Sequence, residues 1–129
     1  MQLDWSQGAL REGLCCYRSG KFFAAHEHWE SIWLAAKEPE KTFLQGLIQV
    51  AAAFHHYQRG NRAGTASLLQ AALRRLERYP GVFGGIAVDP LREEIRAWLA
   101  ALQSGAADTP PAFPALCARA DDAVRASPR

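Results

Sequence analysis

One segment, Glu40 to Arg59, constrains this chain more than any other, because apolar side chains cover most of the surface it would present as a helix. Phe43, Leu47, Val50, Phe54 and Tyr57 fall on one arc at helical spacing, and Leu44, Ile48 and Ala51 widen it. That arc is broader than a helix packed on a single side needs. Such a helix belongs at the centre of an all-α fold, with neighbours on more than one flank.

The flanking segments supply those neighbours. Asp4 followed by Gln7 predicts a helix start, and the segment runs to Ser19 with Leu10, Gly13, Leu14 and Tyr17 on one side. Lys21 to about Ala36 predicts a second helix, carrying Phe22, Ala25, Trp29, Ile32, Trp33 and Ala36 in one arc and ending before Glu38-Pro39. A fourth runs from about Asn61 to Arg78, with Thr65, Leu68, Leu69, Ala72, Leu73 and Leu76 inward, and Gly81 to Val88 reads as a loop. Asp89-Pro90 reads as an N-cap and first helical residue for a fifth helix, which buries Leu91, Ile95, Trp98, Leu99 and Leu102 and stops near Ser104-Gly105. β-branched residues are scarce and never alternate, so essentially no sheet is expected.

Gly20 and Gly60 each separate an aromatic-containing helix from a second helix. Nine and thirteen residues beyond them stand Trp29 and Trp33 in one case and Leu69 and Leu73 in the other. The expected architecture is a compact bundle of about five helices: two antiparallel helical hairpins plus a C-terminal capping helix. It resembles tetratricopeptide-like architecture, although the spacing exceeds the roughly 34 residues of that repeat. Residues 1–105 form the bundle in this reading. Residues 106–129 form a Pro- and Ala-rich tail, partly packed through Phe113 and Leu116 or mobile, with a short helix near Leu116 to Arg125.

Bulk properties narrow the function classes. A chain of 129 residues with 49% hydrophobic and 22% charged residues matches one globular domain and neither a disordered nor a membrane class. No apolar run approaches the roughly 20 residues of a spanning helix, and the amino terminus lacks a signal-peptide pattern, so a cytoplasmic location is expected. Cys15, Cys16 and Cys117 have no spacing for a disulfide framework or a zinc site. A net charge of +2 gives no field for nucleic acid, and Arg59, Arg62, Arg74, Arg75 and Arg78 read as a solvated face.

The chemistry-bearing residues lie on helices two and three. His26 and Glu30 stand at i, i+4 on one face beside Trp29 and Trp33, while Glu27 and His28 point elsewhere. On helix three, Gln45, Gln49 and His56 form a polar stripe, with Ala52 filling the gap. Buried amides and imidazoles require partners, so one shared cluster of His26, Glu30, Gln45, Gln49 and His56 is expected, walled by Trp29 and Trp33. That cluster would serve as a structural network, as a pocket for a small ligand or protein partner, or as a metal site.

Complete catalytic motifs are missing. Glu30 stands where an H-E-x-x-H helix needs its second histidine, helix three has no acid beyond Glu40 for a di-iron site, and no G-x-S-x-G elbow or phosphate loop occurs. A binding or scaffold module with no cofactor is therefore the leading expectation. The alternative is a metal-dependent hydrolase with His26 and His56 as ligands to a divalent metal and Glu30 as ligand or general base. Whether the chain is an enzyme, and whether it forms a homodimer, stay open at this point.

Gly20-Lys21-Phe22-Phe23, then His26-Glu27-His28-Trp29-Glu30 and Trp33, then Phe43-Leu44-Gln45-Gly46-Leu47-Ile48-Gln49, then Gly60-Asn61 and Gly64, resemble the domain of unknown function 309 family of small bacterial and archaeal proteins. The resemblance covers about residues 10 to 100. It implies an all-helical fold and no established activity. The family's H-E-x-W-E and Q-G-L-I-Q patterns fall on His26, Glu27, Trp29 and Glu30 and on Gln45 through Gln49, with His28 at the variable position.

Overall fold

The central helix runs over Glu40–Gln58, and every residue from Phe43 to Phe54 except Gln45, Gln49 and Ala52 is buried. This computed structural model describes residues 3–105 and 109–116. Its helices are α1 (Gly8–Arg18), α2 (Phe22–Trp33), α3 (Glu40–Gln58), α4 (Arg62–Leu76) and α5 (Val88–Ser104). α1 pairs with α2 and α3 with α4; α2 also packs on α3, and α5 on α4. The fold is all-α, with α3 between the two hairpin partners as its wide apolar arc requires. Among the described residues no helix is long and apolar enough to cross a membrane.

The two hairpin turns repeat bond for bond. Lys21 N–H donates to the Cys16 carbonyl at 2.8 Å and Gly20 N–H to Tyr17 at 3.0 Å; forty residues on, Asn61 donates to His56 at 2.9 Å and Gly60 to Tyr57 at 3.0 Å. Both pairs are the Schellman closure of a helix end, which needs a left-handed residue, and Gly20 and Gly60 sit at φ +78° and +79°. Trp29 and Leu69 are fully buried, and Trp33 and Leu73 pack against the core from its edge. The internal duplication is thus a duplicated turn followed by matched packing positions.

α1 and α2 are held by one close fit. The Trp29 indole lies over Gly13, donates from Nε1 to the Leu10 carbonyl at 3.3 Å, and stands between the Trp5 and Tyr17 rings. Only a residue without Cβ allows that approach. Trp5 in turn donates to the Gly84 carbonyl at 2.8 Å, which closes the amino-terminal segment over the core.

Three local features differ from the sequence expectation. The Asp4 carboxylate accepts from Ser6 and Gln7 in a turn of its own, and α1 begins later, at Gly8. Asp89 pairs with Arg92 inside the first turn of α5, and the Gly81 carbonyl caps that helix by accepting from Val88 N–H and Asp89 N–H. Between α4 and α5 the expected loop contains a small antiparallel hairpin, β1 (Val82–Phe83) and β2 (Ile86–Ala87). Gly84 and Gly85 both hold positive φ, the requirement of a two-residue type I′ turn, and strands of two residues leave no alternating pattern to read.

After α5, residues 109–116 cross the bundle without helix or strand, so Leu116 is not helical; the rest of the short helix expected near Leu116 to Arg125 lies outside the described residues. Phe113 sits on Trp98, and Leu116 is buried.

The Gly13 contact yields a direct test. A Cβ at position 13 would come within 2.5 Å of Trp29 Cδ1 and closer still to Nε1. Gly13→Ala is expected to lower stability by about 1–3 kcal/mol through overpacking, read as a reduced urea midpoint with an unchanged slope.

Candidate functional site

α2 buries Phe22, Ala25 and Trp29, and the next residues round the helix, Phe23, His26 and Glu30, form the adjacent half-exposed face. His26 Nε2 stands 3.4 Å from Glu30 Oε2, with the two side chains 23% and 56% exposed. The Phe23 ring, 48% exposed, lies between two imidazoles, 5.5 Å from His26 and 5.0 Å from His55 of α3. His26 Nδ1 and Trp33 Nε1 are buried and make no hydrogen bond among the described residues. Lys41 Nζ sits 4.7 Å over the Trp33 ring.

The residues expected to share one cluster divide into separate pairs. His26 meets Glu30 as predicted. Gln49 accepts from Arg75 of α4 at 3.3 Å, on the other side of α3. His56 Nδ1 faces Asn61 Nδ2 at 3.1 Å, and Asn61 is the N-cap of α4, accepting from Gly64 N–H at 2.9 Å. Gln45 is half-buried on α3, and Trp29 faces α1, where it forms no wall of a pocket with Trp33. Glu27 is exposed and His28 half-buried.

Helix geometry explains the division. The Gln45-to-His56 stripe rises about 16 Å along α3, whereas His26 and Glu30 span one turn, about 6 Å. In the observed pairing, Gln58 Nε2 donates to the Gly20 carbonyl at 3.0 Å and His55 meets Phe23, so facing positions add to 78. His26 therefore faces the level of Ala52. Sequence reasoning misses His55 because its neighbour His56 falls on the polar stripe with Gln45 and Gln49, whereas His55 falls among the apolar positions; the signal that could have found it is the antiparallel register itself.

His55 is held below the ordinary imidazole range, first by burial and then by the positive groups Arg59, His56 and His26. Among the described residues, no three His, Cys, Asp or Glu side chains gather closely enough to hold a metal ion. The arrangement offers an exposed ring, a flanking His26–Glu30 contact and two ring nitrogens that find no hydrogen bond among the described residues. These suit contact with another molecule.

In class, then, the chain is a duplicated helical hairpin with a capping helix and a small histidine-flanked aromatic face. Residues 10–68 match the family described as Domain of unknown function (DUF309), and over that segment the chain is similar to it. A protein of Aquifex aeolicus (strain VF5), named only as uncharacterized, is 35% identical over 91 residues, which cover 70% of this chain and 26% of that protein. The chain spans about a quarter of that relative's length.

Two measurements follow from the geometry. Glu30 is more than half exposed, so Glu30→Ala should change stability by no more than about 0.5 kcal/mol; a loss of several would mean that the carboxylate is a buried partner. His55 should titrate below 6.5 in an NMR pH series. Its lowered value means that the stability it contributes is complete above the unfolded imidazole range and falls as pH drops through the folded value, a slope that His55→Gln removes.

Proposed function

We propose that this chain is a recognition module whose partner-binding face is the Phe23 ring between His26 and His55. The observation that carries it is a large apolar side chain nearly half in solvent, beside a buried His26 Nδ1 that finds no hydrogen bond among the described residues. An exposed aromatic ring rimmed by polar groups is the usual anchor of a protein interface. A partner segment that covers the ring and supplies a donor to His26 would satisfy both groups at once.

The polar pairs around the face support recognition over chemistry. Glu30 binds His26, His56 binds the α4 cap and Gln49 binds Arg75, so each is committed to a neighbour. A hydrolase built on His26, Glu30 and His56 needs the three to converge on one reacting atom. The unpaired thiols of Cys15 and Cys16 fit a reducing compartment, in keeping with a cytoplasmic module.

Photo-crosslinking tests this assignment. With benzoylphenylalanine in place of Phe23, a discrete adduct is expected in the producing cell, and Val82, exposed to the same degree, serves as the control position. Equal labelling at both positions, or none at 23, would remove the Phe23 face as the recognition surface.

A further inference from the structure

We propose that the aromatic channel formed by the C-terminal ends of α1 and α3, the start of α2 and Trp98 of α5 is a receptor for an extended proline-rich peptide of a partner protein, with residues 109–116 of this chain as its displaceable resident occupant. The channel uses different side chains from the Phe23 face and does not rest on the reading given for that face.

The resident segment has the chemistry of such a ligand. It reads Thr109-Pro110-Pro111-Ala112-Phe113-Pro114-Ala115-Leu116. Its prolines fix φ near −65°, hold the residues before them extended and remove backbone donors, which favours a polyproline II strand with little entropy left to lose on docking. It makes neither helix nor strand in the fold.

The channel reads that segment as aromatic grooves read proline-rich peptides, by side-chain donors to backbone carbonyls and one pocketed ring. Trp98 Nε1 donates to the Ala112 carbonyl at 3.0 Å, and Arg18 Nη2 donates to the Leu116 carbonyl at 3.2 Å. Between those bonds Phe113 stacks on Trp98 at 5.4 Å and 11°, and meets Phe22 at 4.9 Å and Phe54 at 5.0 Å edge-on. No contact in this set depends on residues 109–116 belonging to the same chain.

Three observations mark the occupant as exchangeable. A surface recess of about 330 Å³ lies beside the segment, lined by Tyr17, Arg18, Gly20, Phe22, Phe113 and Pro114. The Tyr17 hydroxyl in its wall is buried without a hydrogen bond among the described residues, and Phe113 remains 39% exposed. A partner peptide with a larger residue after its aromatic anchor would fill the recess and offer Tyr17 a carbonyl.

The test uses the full chain carrying Phe113→Ala and a capped synthetic peptide with the sequence of residues 109–116. A tethered occupant competes at an effective concentration of about a millimolar, so the variant should bind the peptide at least tenfold more tightly than the wild type, with one-to-one stoichiometry. Adding Trp98→Phe, which removes the indole donor, should weaken that binding at least fivefold. A folded Phe113→Ala chain that binds no peptide, or binds it only as the wild type does, overturns the proposal. Should that variant fail to fold, wild-type chain with 4-fluorophenylalanine at position 113 gives the same answer. Excess peptide should move its fluorine resonance to the solvent position, and an unmoved signal at millimolar peptide overturns it. A wild-type dimer that depends on Phe113 also overturns it, by making a second copy the occupant.

Discussion

Burial of α3 on nearly all sides is the constraint from which the rest of the structure follows. A helix with Phe43, Leu44, Leu47, Ile48, Val50, Ala51 and Phe54 all buried must be enclosed by α2, α4 and the aromatic side chains that α5 and the β hairpin bring across it. Its polar residues are then confined to the seams between neighbours. Gln49 reaches Arg75 at the α4 seam, His55 reaches Phe23 at the α2 seam, and His56 turns to the cap of α4. Each finds a local partner because an unmet polar group in such a seam costs more than a hydrogen bond gains.

The duplicated turns show how the two hairpins meet that constraint with different side chains. In the first, Gly13 admits the Trp29 indole; forty residues on, the same two positions hold Ala53 and Leu69, both fully buried. A larger residue on the second helix goes with a smaller one on the first, which offsets part of the difference in volume between Trp29 and Leu69. The indole brings a polar N–H that Leu69 does not, and the Leu10 carbonyl satisfies it. The consequence reaches the amino terminus, where Trp5 covers the edge of Trp29 and anchors itself on the β hairpin.

Legibility in the sequence followed the strength of local signals. α3, α4 and α5 could be read closely because long 3.6-residue patterns and glycine stops are local properties, and Gly20 and Gly60 announced the duplication for the same reason. The start of α1 was misread because the Asp4 carboxylate serves a turn as readily as a helix, and that of α5 because a distant carbonyl, Gly81, does the capping. Of the candidate site, the His26–Glu30 pair was visible as an i, i+4 spacing. What lies across from it depends on how far α2 and α3 slide along each other, which no periodicity reveals. A shift of one turn separates a His26–His56 contact from the observed level of Ala52, and the wheel alone cannot distinguish them.

The first turn of α2 joins the two surfaces that this register creates. Phe22 points into the aromatic channel against Phe54 and Phe113, while Phe23, about 100° further round the helix, lies outward against His26 and His55. Gly20 fixes where that turn begins, and the Gln58 amide ties its carbonyl to the end of α3. Phe22 and Phe23 are consecutive residues of the first turn of α2, so the backbone that places one ring also places the other. The two surfaces thus share one backbone support, the Schellman turn at Gly20.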